Sequence, residues 1–205
     1  CINPAAVDVA RKRGAVEVWM PSYHSLAHYK ATGKMGGYGH QGADVTTNYP
    51  VKPITILDEK GELIPEIWPI LELVKQHDAI LGTSHLGSEE GLKLIRAARE
   101  VGCRKVVLTH PFFAPPSCTV EQIKEAVELG AFCEFCSGNA LSPIPAPIPL
   151  ELYKEAVDAC GSENFIISSD TGHPRKTMAP ETSRMFAQSL TYKGVGAPSL
   201  SDISF

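Results

Sequence analysis

Three residues of metal-ligand type stand at the ends of short apolar runs. Ala79-Ile80-Leu81-Gly82-Thr83-Ser84 leads into His85, and Lys105-Val106-Val107-Leu108-Thr109 leads into His110, which Pro111 stops. Phe165-Ile166-Ile167-Ser168-Ser169 leads into Asp170, followed by Thr171-Gly172-His173. Imidazole and carboxylate are standard ligands for zinc and similar divalent ions. A continuous apolar run reads as a parallel strand covered on both faces. A polar group at the C-terminal end of several such strands is how barrel active sites are built. The expected chemistry is attack by a metal-activated water, with His85 and His110 as ligands. Asp170 serves as a further ligand or as the base that takes a proton from that water.

Other candidates are secondary. Glu134 sits inside a probable strand between aromatic residues, where a carboxylate faces a substrate or pairs with a cation. His173 follows Asp170 closely enough to meet the same substrate. His24, His28 and His40 lie in a long glycine-rich stretch after the first visible strand, and His40 is the one assigned to substrate contact. Gly36, Gly37 and Gly39 complete no phosphate-binding motif, and no GxSxG elbow occurs. Cys133 and Cys136 form a lone CxxC inside a probable strand, which reads as two buried free thiols rather than a zinc or redox pair.

The elements that must position these residues alternate regularly. Helices are expected over residues 4–13, 65–77, 88–101, 119–129, 150–160 and 180–190. Pro4 suits a first helical position, Ser88 an N-cap, and Thr119 with Gln122 a capping box. Strands are expected near residues 16, 79, 105, 131 and 165. Residues 22–50 read as an irregular loop, residues 54–64 as a hairpin and residues 142–149 as a proline-rich extended loop. Strand–helix alternation with short links implies a parallel sheet with right-handed crossovers.

The chain has 205 residues, 43% hydrophobic and 20% charged, with a formal net charge of −4. This is ordinary globular composition with no signature of nucleic-acid or membrane binding. Six scattered cysteines and no visible leader point to a reducing, cytoplasmic setting. A closed barrel needs eight strands over roughly 250 residues, so the five seen here are expected to be its later part. Residues 1–205 then form the C-terminal portion of one domain. Its N-terminal strands are cut away or carried by a companion polypeptide, and the assembly is expected to be a homo-oligomer.

The motifs carry a resemblance. Asn3-Pro4, Val18-Trp19-Met20-Pro21, Tyr38-Gly39-His40, Ile56-Leu57-Asp58-Glu59-Lys60-Gly61, Gly82-Thr83-Ser84-His85, Leu108-Thr109-His110-Pro111 and Ser168-Ser169-Asp170 occur in order along the chain. In these the chain resembles the amidohydrolase superfamily of metal-dependent hydrolases, and within it an uncharacterised microbial group. The resemblance implies an α/β fold, a (β/α)8 TIM-like barrel of which this chain supplies about strands 4–8. It implies metal ligation by the fifth- and sixth-strand histidines, His85 and His110, and ligation or base catalysis by the eighth-strand Asp170. The reaction implied is hydrolysis of an amide, lactam or ester bond with a divalent metal, zinc first and manganese or iron as alternatives. The superfamily's first-strand His-x-His pair is absent. The fourth-strand tip reads Trp19-Met20-Pro21 in place of a bridging lysine or glutamate, which favours a single metal. A decarboxylase or lyase on the same scaffold and a non-catalytic barrel subunit are the alternatives.

Overall fold

The computed structural model describes residues 2–36, 51–141, 147–172 and 176–195. They form two compact units, Cys1–Val107 with Ala114–Ser117, and Leu108–Phe113 with Cys118–Phe205. Each is an α/β unit with parallel strand pairing.

In the first unit, α1 (Pro4–Lys12) begins at Asn3, whose side chain accepts from the amides of Ala5 and Ala6. Pro4, which lacks an N–H, fits the first turn, and Arg11 and Lys12 complement the dipole at its end. β1 (Glu17–Trp19) pairs in parallel with β2 (Ile80–Gly82), and β2 pairs in parallel with the start of β3 (Lys105–Thr109). Two amphipathic helices accompany these strands, α3 (Ile67–Gln76) and α4 (Ser88–Val101). Ile67, Leu71, Val74, Leu81, Leu94, Ile95 and Val106 are fully buried. Removing such side chains from water contributes roughly 1.5–3 kcal/mol each, the main favourable term here.

Three expectations change in this unit. The long loop contains a helix, α2 (Leu26–Thr32), capped by Ser25 and closed by Gly33 in the left-handed region. The hairpin shrinks to a single antiparallel bridge, Leu57 to Leu63, around a turn in which the Asp58 carboxylate accepts from the amides of Lys60 and Glu62. Two backbone bonds close it, from the Ile64 amide to the Ile56 oxygen at 2.9 Å and from the Asp58 amide to the Glu62 oxygen at 2.8 Å, and Glu90 anchors the segment from outside. Its carboxylate is buried and accepts from the Thr55 hydroxyl at 2.6 Å and the Ile56 amide at 2.7 Å. Ser88 is the first residue of α4 rather than its cap, which is Gly87.

In the second unit, α5 (Val120–Glu128) starts at the expected capping box, with Thr119 and Gln122 bonded reciprocally. β4 (Phe132–Cys136) pairs in parallel with β5 (Phe165–Ser168), in the register Glu134 to Ile166 and Cys136 to Ser168. A short helix not foreseen in the sequence, α6 (Ser137–Leu141), follows β4 directly. α7 (Leu150–Cys160) and α8 (Ala179–Tyr192) complete the unit. An aromatic cluster joins these elements. Phe135 stacks on Phe165 at 4.4 Å and meets Tyr153 edge-on at 4.9 Å, and Tyr153 meets Phe186 edge-on at 5.1 Å. Stacked and edge-on pairs of this kind add to burial because ring faces and edges carry opposite charge. Cys133 and Cys136 are free and buried, and burial raises both thiols well above the usual range.

Candidate functional site

The tip after β2 is built to present His85. Gly82 ends the strand where a Cβ would meet the Trp19 ring at 3.1 Å and the Glu17 carboxylate at 3.2 Å. The chain then turns through Ser84, which adopts φ +52, a left-handed conformation that costs most side chains energy. Thr83 stays in register by donating its amide to Val107 at 3.0 Å.

His85 is only 6% exposed and His28 is fully buried. Their Nδ1 atoms lie 3.1 Å apart, with ring centroids 5.1 Å apart. Tyr23 presents its ring nearly perpendicular to both, at 5.3 Å from His28 and 5.4 Å from His85. Ser25 ties the two histidines together through the backbone. Its hydroxyl donates to the main-chain oxygen of His85 at 2.6 Å and accepts from the amide of His28 at 3.0 Å.

In the second unit, His110 follows β3 with φ +31 and is 6% exposed. Burial pushes its imidazole down to about 4, and the positive charge of Lys176 acts in the same direction. It is therefore neutral near pH 7, with its ring edge-on to Phe113 at 5.2 Å. Asp170 stands two residues past β5 with φ +47, and its side chain is 46% exposed. Lys176 reaches back to it, donating to the Asp170 main-chain oxygen at 2.6 Å, with the carboxylate at 3.5 Å. The same ammonium lies 3.5 Å from Oδ1 of Asn139, a buried residue of α6. That orientation leaves Asn139 Nδ2 without a partner among the described residues. Glu134 is half-buried within β4. His40 and His173 lie outside the described residues.

His28, counted with His24 and His40 as a secondary candidate, and Ser25, Lys176 and Asn139 are the residues that sequence reasoning did not place beside His85 or Asp170. A signal existed for the first two, because Ser25 three residues before His28 is an N-cap pattern. Nothing in the sequence marks Lys176.

The donors suit a divalent cation in kind, because a ligating histidine must be neutral and the buried, uncharged imidazole of His110 meets that condition. Among the described residues, no group of three or more His, Cys, Asp or Glu side chains is arranged to hold one.

Solved structures with low sequence identity share the fold. An amidohydrolase from Pseudomonas aeruginosa superposes with a TM-score of 0.60 at 13% identity, over 98% of this chain and 65% of that one. An organophosphorus hydrolase from Deinococcus radiodurans gives 0.53 at 11% identity, over 69% of this chain and 49% of that one. An organophosphate-hydrolysing protein engineered from a weak promiscuous lactonase template gives the same score and identity, over 69% of this chain and 51% of that one. The chain thus spans about half the length of the last two. The likeness bears out the amidohydrolase-like resemblance at the level of fold. No curated protein matches the sequence. The model of one family, described as a family of unknown function (DUF6282), matches residues 1–134, a stretch that contains His28, His85, His110 and Glu134. The chain belongs to that family.

Proposed function

We propose that this chain is part of a metal-dependent hydrolase on a (β/α)8-type barrel, acting on an amide, lactam or ester bond of a small molecule. The observation that carries the reading is the placement of the strand-end residues. His85 and His110 each follow a parallel strand as a buried imidazole, and Asp170 follows another as an exposed carboxylate held by a lysine. The fold likeness to proteins named as amidohydrolase and organophosphorus hydrolase supports it.

His85 in the first unit, and His110 and Asp170 in the second, are the residues proposed as metal ligands, zinc in the first instance. When bound, the cation supplies the Lewis acidity that makes water a nucleophile near neutral pH. The chain's own residues do the rest. The Asp170 carboxylate, open to solvent on one side, accepts the proton that the attacking water loses. Lys176 fixes that carboxylate from the other side. Glu134, His40 and His173 would contact substrate. Further strands, from a companion polypeptide, would add to the outer edge of β1. The exposed Trp19 and Val16, at 52% and 70%, support that reading.

The test is elemental analysis of the chain purified with any accompanying polypeptide, beside a His85→Ala/His110→Ala variant. About one metal per chain, as a single-metal site requires, is expected in the first sample and none in the second. Hydrolysis of a panel of lactones, amides and organophosphate esters should be lost with the metal while the circular dichroism spectrum persists. No metal in either sample rejects the reading.

A further inference from the structure

The short helix α6 carries buried hydrogen-bond donors that meet no acceptor among the described residues, and it sets one of them beside Asp170. We infer that the side-chain amide of Asn139 binds a ligand oxygen that only accepts hydrogen bonds, a carbonyl or carboxylate oxygen. Asn139 is thereby a specificity-determining residue for the hydrolysis proposed above. That last step rests on the proposed function; the binding of an acceptor oxygen does not.

The backbone of α6 is tied to the segment that carries Asp170. The Gly138 amide donates to the Ser169 main-chain oxygen at 2.8 Å, and the Asn139 main-chain oxygen accepts from the Ile148 amide at 3.0 Å. These two bonds fix the point from which the Asn139 side chain leaves. Asn139 is 4% exposed and Ser137 is fully buried. Lys176 decides which way the amide faces. An ammonium has three donors and no acceptor, so the atom turned toward it, at 3.5 Å, is Oδ1. The two N–H groups on Nδ2 point elsewhere and meet no acceptor among the described residues. The buried Ser137 hydroxyl lacks a partner there too.

Buried polar groups nearly always have partners, so an orphaned amide calls for a reason. Holding Lys176 is a poor one. The 3.5 Å contact is longer than the roughly 2.7–3.2 Å of an ordinary N–H to oxygen bond. Lys176 already has its short bond, to the Asp170 main-chain oxygen at 2.6 Å. The last torsion of an asparagine is soft, so the amide can turn its N–H groups to meet an arriving oxygen. Asp170, next to it, has a side chain 46% exposed, so a ligand can approach from that side. What the place lacks is an acceptor; a hydroxyl or an amine would bring further donors. The Lys176 charge is taken up by Asp170, so the neutral amide admits an uncharged carbonyl as well as a carboxylate. A site built to bond such an oxygen discriminates strongly against an analogue without it.

The experiment uses the full chain, purified with any accompanying polypeptide and labelled with nitrogen-15 asparagine. The sequence holds four asparagines, so the side-chain amide spectrum is short, and Asn139→Leu identifies the Asn139 signals by their loss. The probes are sodium acetate for a carboxylate, N-methylpyrrolidinone for a carbonyl, and N-methylpyrrolidine as the same ring without the oxygen. The expected result is a saturable downfield shift of the Asn139 amide protons with an oxygen-bearing probe and none with N-methylpyrrolidine. A shift with acetate alone assigns the site to a carboxylate, and a shift with N-methylpyrrolidinone alone assigns it to a carbonyl. Asn139 signals that move with neither, or with all three alike, overturn the inference. The second arm compares wild type with Asn139→Leu, which keeps the side chain's size and removes its donors. On the amides, lactams or esters that wild type hydrolyses, kcat/KM should fall about 10–100-fold. The melting temperature should hold or rise, because an orphaned buried amide is replaced by an apolar group of similar shape. A lowered melting temperature with unchanged kcat/KM would make Asn139 structural and overturn its role in specificity. If wild type hydrolyses none of them, the proposed function fails and the amide spectrum alone decides whether Asn139 binds an acceptor oxygen.

Discussion

The Lys176 ammonium touches Asp170 twice, at 2.6 Å from its main-chain oxygen and 3.5 Å from its carboxylate. Asp170 needs such a clamp, because φ +47 is an unfavourable backbone conformation for a residue with a Cβ. The carboxylate is 46% exposed, so the ion pair itself stabilises the fold by only about 1 kcal/mol or less. Lys176→Met should therefore lower the melting temperature by only about 2–4 °C. With Asp170 as the base proposed above, its effect on catalysis should be larger, about 10–100-fold in kcat, because a base out of place by an ångström loses its alignment. KM should change little. A melting temperature lowered by tens of degrees with an unchanged kcat would assign Lys176 to folding alone.

Gly138 marks where α6 crosses the end of β5. Its amide donates to the Ser169 carbonyl oxygen at 2.8 Å. A Cβ there would lie 2.6 Å from that oxygen and 2.9 Å from Thr171 Cγ2. The first obstacle is backbone and cannot swing away. Gly138→Ala should cost about 1–3 kcal/mol, as other overpacked sites do. Urea denaturation should show a lower midpoint with an unchanged slope. Because the strain falls on the segment leading to Asp170, hydrolytic activity should drop in the same variant. An unchanged midpoint would mean that the segment shifts freely.

Features set by a few neighbouring residues were legible in the sequence. The Thr119–Gln122 box, the closing Gly102 and the strands leading to His85, His110 and Asp170 all depend on local chemistry or apolar runs. What escaped was decided by distant partners. α2 is seven residues long and is followed by a glycine-rich stretch, so it offers too little periodicity to read. Its formation depends on Ser25, bonded to His85 sixty residues away. The residues read as a hairpin do pair, Ile56 with Ile64 and Asp58 with Glu62, but their second anchor, the Glu90 carboxylate of α4, comes from 34 residues away. Of the candidate site, the strand-end residues were visible as types at tips, whereas the lysine that grips Asp170 lies in a loop with no pattern.

The burial of the cysteines predicts how fast each reacts. Cys103, Cys118, Cys133 and Cys136 are buried, and Cys160 is partly exposed. Burial raises the thiols of Cys133 and Cys136 well above the usual range, which disfavours the reactive thiolate. Brief alkylation of the native chain should modify Cys160 far faster than Cys133 or Cys136, as read by peptide mass spectrometry. In denaturant all should react alike. Rapid native labelling of the CxxC pair would contradict this and reopen a redox role.

His110 sets a pH dependence on the metal-free chain. Its folded-state value is about 4, because burial disfavours the imidazolium, against about 6.5 when unfolded. Above the unfolded value both states are neutral and this group leaves stability unchanged. As the pH falls toward 4, the unfolded chain takes up a proton that the folded chain refuses, so stability declines. The loss levels off below about pH 4 and is of order 3 kcal/mol for this group alone. Carboxylates also titrate at the lower end of that window, so the contribution must be isolated by difference. Urea midpoints should be measured with chelator present, for wild type and for His110→Gln, which cannot titrate. Wild type should lose more stability than the variant between about pH 7 and pH 4. Parallel pH profiles would show that His110 is protonated as readily in the folded chain as in the unfolded one.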